Sequence, residues 1–405
     1  MKRKIGKLAA ILLAGFLLAG CGSDRQNEEG TDQESSNRTE MAEDIQNIEG
    51  SQNDDENEIQ EDDSDAEGSE DGTTDDKESV EIDLPDDEEL MADYTSVKGL
   101  VLEKGSRIAF VVKNTETGYW KAVKKGIDQA VDDLNQTLGY EGADKIQCTF
   151  EGPKSETGVD EQVNILDAVL SENPDVLCLA AIDMNSCGAQ LEYANENEIP
   201  IIVLDSGVDN QDLIYSVCAT DNYSAGKEAA IRLCEKIGDQ GQVAVLAHLQ
   251  LGESSQDRVK GFEDEVQDNH PDVQIVQISY EAAKEDEPSA EEQMEETLEL
   301  YPQLKGYFCT NEVMSDAALG VLKNHEEREI QLVGFDLGKT QAEAVRNGQE
   351  AGVVCQNPYG MGYATVVAGV RAVLGMENDP FIDAGYKWLD QMTIDLEENA
   401  KYLYE

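Results

Sequence analysis

Seven apolar runs along the chain end on residues that can exchange hydrogen bonds. Ile108–Val112 stops at Lys113-Asn114, Val176–Ile182 at Asp183, and the run from Ile199 through Leu204 at Asp205. Tyr215–Ala219 leads into Thr220-Asp221-Asn222, Tyr307–Thr310 into Asn311, Leu332–Phe335 into Asp336, and Val353–Cys355 into Gln356-Asn357. An ionised carboxylate accepts two or more hydroxyl hydrogens, and an amide both donates and accepts. A ring of such groups suits a guest rich in hydroxyls, and it rejects analogues that would leave its buried polar atoms unpaired.

The elements that must carry these residues follow from the same runs. Apolar segments of this length without alternation read as strands buried on both faces of a parallel sheet. In open α/β sheets, ligands bind beyond the carboxyl ends of the strands, where these polar residues lie. Between the strands, Trp120, Val123, Ile127, Ala130, Val131 and Leu134 recur at helical spacing, as do Val159, Val163, Leu166, Val169 and Leu170. A second series opens after Val217–Asn222. Its helix over 224–237 is closed by Gly238, a strand follows at Val243–Ala247, and a helix begins near Ser254-Ser255. Strand Val273–Ile278, a capping box at Ser289-x-x-Glu292, and helices over 313–322, 341–346 and 360–374 complete it, with strand-like residues at Trp388–Ile394. Two βαβ halves of similar make-up predict an α/β fold of two Rossmann-like lobes with parallel sheets and helices on both faces.

Composition sets the outer limits. A net charge of -57 and a pI near 4.1 exclude nucleic acid as a partner, because phosphates demand Lys and Arg. Between Gly22 and Lys98 there are 30 Asp and Glu against four Lys and Arg, with no aromatic residue before Tyr94. Such a stretch cannot bury a core and reads as a solvated spacer. Ahead of it, Lys2, Arg3, Lys4 and Lys7 precede an apolar stretch from Leu8 to Leu18, too short to span a bilayer, so residues 1–21 read as an export signal. The remaining seven cysteines form no CxxC pair and lie mostly in apolar runs, where a thiol behaves as a small hydrophobe. His248, His270 and His325 are scattered without metal-ligand spacing, so no metal is expected. No GxSxG elbow or P-loop occurs, and Gly360-x-Gly362 lacks a third glycine in register. These absences predict a protein that is not an enzyme and uses no cofactor.

Two resemblances sharpen this reading. Leu18-Ala19-Gly20-Cys21 looks like a bacterial lipobox, which implies a lipoprotein anchored through acylated Cys21 on the outer face of the cell membrane. From Arg107 to the C-terminus the chain resembles the type I periplasmic sugar-binding proteins of the ribose- and galactose-binding branch. The matching pieces are VVKNTETGYWKAVKKG, IPIIVLDSGV, ATDNYSAGK, SSQDRVKGF, TNEVMSDAALG, VGFD and CQNPYGMGY, in order and at family spacing.

The resemblance implies two lobes joined by three hinge crossings and a monosaccharide held between them. Its boundaries place residues 99–220 and 357–385 in the N-terminal lobe and 221–356 and 386–405 in the C-terminal lobe, after a tether over 22–98. It assigns ligand contacts to Tyr119, Trp120, Asp205, Arg258, Asn311, Asp336 and Gln356, with Asp183, Lys113, Asn114 and Thr220 as further positions near the mouth. A sugar's flat C–H face would stack on Tyr119 or Trp120, and Arg258 would fork onto adjacent oxygens. Other roles for these residues stay open: an Asp after a strand also caps helices, Arg258 could join a surface ion pair, and one of the two aromatics could be core. Ala180 and Ser206 depart from the pentose-binding pattern, and the Tyr280–Pro288 loop does not align, so the sugar is not specified. The implied role is a monomer that delivers a sugar to an ABC importer. The alternative is a sensor presenting its ligand to a membrane histidine kinase or chemoreceptor.

Overall fold

A computed structural model describes residues 92–284 and 286–404. The expected export signal, Cys21 and nearly all of the acidic segment lie outside the described residues. From Arg107 the chain alternates strand and helix through β1 (Arg107–Val111), α1 (Gly118–Leu138), β2 (Gln147–Glu151), α2 (Val159–Ser171), β3 (Val176–Leu179), α3 (Gly188–Glu196), β4 (Ile201–Leu204) and β5 (Ser216–Ala219). It then crosses into α4 (Asn222–Ile237), β6 (Gly241–Ala247), α5 (Glu253–Asn269), β7 (Val273–Tyr280), α6 (Ala290–Leu300), β8 (Leu304–Cys309), α7 (Glu312–Leu322), β9 (Gln331–Phe335), α8 (Lys339–Asn347) and β10 (Gly352–Gln356). α9 (Pro358–Val373) and β11 (Phe381–Asp383) return to the first lobe, and β12 (Tyr386–Leu389) goes to the second.

The two sheets are wound alike. Their orders are β11-β5-β4-β3-β1-β2 and β12-β10-β9-β8-β6-β7. In each, the second strand lies outside the first and the rest run the other way, which leaves a switch point between β1 and β3 and another between β6 and β8. That is where a doubly wound sheet opens a crevice for ligands. The sheets are parallel except at β12, which pairs antiparallel with β10, Gln356 opposite Tyr386. The antiparallel pairing follows from the hinge. β10 runs into the crossing and β12 starts from it, so the two must point in opposite directions. β11 runs into the crossing beside β5, with Asp383 opposite Ala219, and is therefore parallel.

Apolar periodicity explains the packing. Trp120, Val123, Ile127, Ala130 and Leu134 make one buried face of α1, each large side chain worth ~1.5–3 kcal/mol on burial. Tyr94 and Val97, expected within the tether, belong instead to the first lobe's core, and the Tyr94 hydroxyl accepts the Asp379 amide at 2.7 Å. The second lobe presses α4 against α5 so closely that a Cβ on Gly226 would stand 2.2 Å from the Arg258 carbonyl oxygen. Only glycine admits that approach, and it fixes the backbone that carries Arg258. The expected strand over Trp388–Ile394 stops at Leu389, because the Asp390 carboxylate takes the Met392 amide and the Thr393 hydroxyl and turns the chain. All seven cysteines among the described residues are free.

Candidate functional site

Two aspartates, one from each lobe, anchor the site. Asp205 follows β4 and Asp336 follows β9, the corresponding strands of the two windings. Both have left-handed backbones, φ 63° and 72°. Each gives its amide to the neighbouring strand, Asp205 to the Cys218 carbonyl at 3.0 Å and Asp336 to the Val354 carbonyl at 2.9 Å. A non-glycine residue held there costs ~1–3 kcal/mol, and such strain gathers at functional positions. Both side chains are buried and line one cavity.

Their electrostatic settings differ. Burial alone would push Asp205 up, but the Lys113 ammonium at 2.7 Å, the Tyr119 hydroxyl donating at 2.6 Å and the Arg258 guanidinium hold it below the usual carboxylate range. Burial does push Asp336 up, with Asp205 adding to it, against the pull of Arg258, the Gln356 amide at 2.7 Å and the Glu312 backbone amide at 3.1 Å.

Arg258 is buried on α5. Its Nε donates to Asn222 Oδ1 at 2.9 Å, one terminal nitrogen donates to the Thr310 carbonyl at 2.7 Å, and the guanidinium carbon stands 3.7 Å above the Phe335 ring. It is therefore no surface ion-pair partner. It is oriented by the protein itself, and no hydrogen bond from its other terminal nitrogen occurs among the described residues. Gln356 is aimed the same way: Thr220 Oγ1 donates to its oxygen at 2.9 Å, and its nitrogen faces Asp336. Thr220 thus acts through Gln356, and it ties the first hinge crossing to the second. Asn357 Nδ2 donates to the Ala384 carbonyl at 3.2 Å and links the second crossing to the third.

The remaining expected residues divide. Tyr119, Trp120 and Asn311 line the cavity. Tyr119 and Trp120 meet edge to face at 5.2 Å, and the Trp120 indole nitrogen donates to Glu156 at 2.9 Å. Asn311 caps α7, its oxygen accepting the Met314 amide at 2.9 Å, so it offers the cavity a donor and not the donor–acceptor pair expected of an amide. Asn114 does not line the cavity. Its oxygen takes the Glu116 and Thr117 amides, and its nitrogen donates to the Lys154 carbonyl at 2.8 Å, tying two loops together. Asp183 is likewise spent locally, on the Asn185 amide and the Ser186 hydroxyl.

Lys113, expected near the mouth, lines the cavity. Sequence reasoning missed other lining groups: Glu156 sits in a loop without periodicity, and Ser254, at the start of α5, reads in the sequence only as the beginning of a helix. His248 follows β6, and burial, then Arg258 and Lys113, pull it well below the usual imidazole range, so it is neutral. Thr310 Oγ1 accepts the His248 backbone amide at 2.9 Å and lies 2.7 Å from Nδ1. If its hydroxyl donates to Nδ1, then Nε2 carries the proton, toward Ser254 Oγ at 3.3 Å. Lys113 also donates to Ser254 Oγ at 3.2 Å, which leaves that hydroxyl's hydrogen for a guest.

The lobes meet along one rim. The Gly207 amide donates to Glu253 Oε2 at 2.6 Å and the Met184 amide to the Leu251 carbonyl at 3.1 Å. With the walls this close, the inner cavity measures about 30 Å³, roughly room for one water. It shares Thr117, Glu312 and Val313 with a second cavity of about 800 Å³ that is open to solvent. Glu281, Glu312 and Asp316 make that outer space acidic. Glu312 is pushed up to about 8 by burial and then by Asp336, Asp316 and Glu156. Glu281 is pushed up to about 7 by burial and then by Glu156.

Comparison with known proteins agrees with this architecture. Residues 108–377 match the model of the periplasmic binding protein domain. The ribose import binding protein RbsB of Salmonella typhimurium is 23% identical over 268 residues, 66% of this chain and 85% of that protein. A xylitol-binding protein of Mycolicibacterium smegmatis is 24% identical over 219 residues, 54% of this chain and 61% of that one. An ABC transporter solute-binding protein from Agrobacterium vitis, solved with D-fucose, superposes with a TM-score of 0.66 at 28% identity, covering 74% of this chain and all of that one. Two like-wound α/β lobes around one polar cavity, matched by a family model over most of the folded region, leave one assignment: the chain belongs to the periplasmic binding protein family, among its type I sugar-binding members.

Proposed function

We propose that this protein is an extracytoplasmic lipoprotein that captures a monosaccharide between its lobes and delivers it to an ABC importer as a monomer. The observation that carries the reading is the matched pair Asp205 and Asp336, held left-handed at corresponding strand ends of the two lobes on either side of one cavity with Arg258. The proposed roles follow from the bonds already made. Asp336 and the unused nitrogen of Arg258 bind ring hydroxyls, Gln356 and Asn311 donate, and Asp205, still paired with Lys113, accepts through the lone pairs that Lys113 and Tyr119 leave. Tyr119 and Trp120 supply the apolar wall. The outer cavity is the entrance. Parting of the lobes at the Gly207–Glu253 rim, about the crossings at Thr220, Asn357 and Ala384, makes room for a ring that 30 Å³ does not hold. Ligand then favours reclosure through contacts that neither lobe offers alone. Cys21 supplies the membrane anchor. No catalytic role is proposed.

A thermal-shift screen against aldopentoses, aldohexoses and their polyols tests this, since a ligand that binds only the folded state raises the melting temperature. One class of monosaccharide should raise it, and Asp336→Asn should abolish the rise. No rise with any sugar would sink the reading.

A further inference from the structure

A cluster outside the cleft joins residues far apart in sequence. α4 closes on Gly238, and the next residue, Asp239, is also left-handed at φ 53° and returns its amide to the Cys234 carbonyl at 2.8 Å. α5 ends at His270. The close packing of α4 on α5 brings a carboxylate oxygen of Asp239, the Cys234 sulfur and an imidazole nitrogen of His270 within 4.8 Å of one another. His270 Nδ1 is 2.8 Å from Asp239 Oδ1. His270 Nε2 is buried and has no hydrogen-bond partner among the described residues, with Glu265 Oε1 3.8 Å away. Asn269 donates to that same Glu265 oxygen at 2.8 Å, and Lys227 lies 3.8 Å from the other.

We propose that Cys234, Asp239 and His270 form a site for a thiophilic divalent transition metal of the zinc class, with its fourth position open to solvent. Thiolate, imidazole and carboxylate together suit zinc and cobalt and disfavour magnesium and calcium, which take oxygen ligands. His270 ligates through Nδ1, so Nε2 must carry the hydrogen. That hydrogen then points toward Glu265, the carboxylate behind the imidazole that fixes the tautomer of metal-bound histidines. Metal–sulfur and metal–nitrogen bonds of ~2.3 and ~2.0 Å set tetrahedral donors about 3.5 Å apart, so no pair need close by more than about 1.3 Å. Asp239 can supply that movement, because its side chain is 62% exposed.

Without metal the thiol keeps its proton. Burial pushes Cys234 up to about 12, with Asp239 and Glu265 adding to it. Binding replaces the S–H bond with a metal–thiolate bond and releases one proton to solvent. The site braces the far ends of the two helices whose near ends hold Arg258 and Asn222. It lies 12 residues along α5 from Arg258, roughly 18 Å, and so is separate from the ligand cleft.

Cobalt(II), titrated into the full chain under reducing conditions, reads the site directly. A thiolate-to-cobalt charge-transfer absorption should saturate at one equivalent. The acidic N-terminal segment can bind cobalt through carboxylates but cannot produce that band. Cys234→Ser should remove the band, and His270→Gln or Asp239→Asn should each weaken cobalt binding at least tenfold, with the sugar-induced thermal shift unchanged in all three. Absence of the band in the parent protein, its persistence in Cys234→Ser, or unchanged affinity in His270→Gln overturns the proposal. If Cys234→Ser does not fold, the two other variants decide it.

Discussion

Replacing Lys113 by Met removes the partner of a buried carboxylate while keeping most of the side-chain volume. Lys113 and Asp205 are 7% and 5% exposed and 2.7 Å apart. Removing one member of such a pair strands a charge in low dielectric and costs ~3–5 kcal/mol. For a folded unit of about 310 residues, 1 kcal/mol moves Tm by ~1.5 °C, so a fall of about 5–8 °C is expected at pH 7. The sign with pH is fixed by the two states of Asp205. In the parent its pKa is lowered, so its contribution is present above the unfolded value of 3.8 and is lost as pH falls through the lower folded value. In Lys113→Met burial dominates and the folded value rises above 3.8. The penalty then grows as pH rises through that window and is absent below it. The gap between parent and variant should therefore be largest at pH 7 and shrink by pH 4.5. Adding Asp205→Asn should restore most of the loss, because no charge is then left unpaired. Urea unfolding of the parent, Lys113→Met, Asp205→Asn and the double variant at both pH values checks this. A gap under about 1 kcal/mol, or one of equal size at the two pH values, refutes the idea that Lys113 neutralises Asp205.

Two further outcomes follow from the cleft. Glu312, pushed up to about 8, keeps a proton in the folded state that the unfolded chain gives up near 4.5, so stability falls as pH rises between those values. The slope for one proton is at most ~1.4 kcal/mol per pH unit and is less here because the carboxylate is partly exposed. Glu312→Gln should flatten the Tm–pH profile across that window, and a profile identical to the parent's would show that Glu312 is ionised throughout. Gly207→Ala would place a Cβ 2.1 Å from Glu253 Oε2, displacing that side chain and its bond to the Gly207 amide. A hydrogen bond to a charged group is worth ~1.5–3 kcal/mol, so sugar affinity by calorimetry should drop roughly 10- to 100-fold. Unchanged affinity would mean that the rim is open in the loaded protein.

Where an apolar run coincides with a strand, the sequence revealed the site. Leu204 ends β4 and Asp205 follows at once, Phe335 ends β9 and Asp336 follows at once, and both reach the cavity. Where the polar residue lies three or more residues past the strand's end, the rule fails. β3 stops at Leu179, and Ala180, Ala181 and Ile182 continue as loop, which carries Asp183 past the cavity into a local turn. Asn114 fails for the same reason, three residues beyond the end of β1, where two loop amides claim its oxygen. Hydrophobicity marks burial and does not mark where the ladder of hydrogen bonds stops.

What one sequence cannot carry is the pairing of charges across the fold. Asp205 and Asp336 look alike as strand-end carboxylates, and each follows the fourth strand of its own winding. Their difference comes from elsewhere: a lysine just past the first strand of the same lobe lowers one, and burial beside an arginine already committed to Asn222 and Thr310 leaves the other raised. The first is satisfied within its own lobe before any guest arrives. The second shares its cation with the protein and keeps unmet capacity for hydroxyls. A cleft built this way binds asymmetrically, with most of the discrimination on the Asp336 side. Asp336→Asn should accordingly cost more sugar affinity than Asp205→Asn, whose loss is softened by the release of Lys113 to donate to the guest. Paired calorimetric titrations of the two variants decide it, and equal losses would mean that the Lys113 pairing is broken in the loaded state.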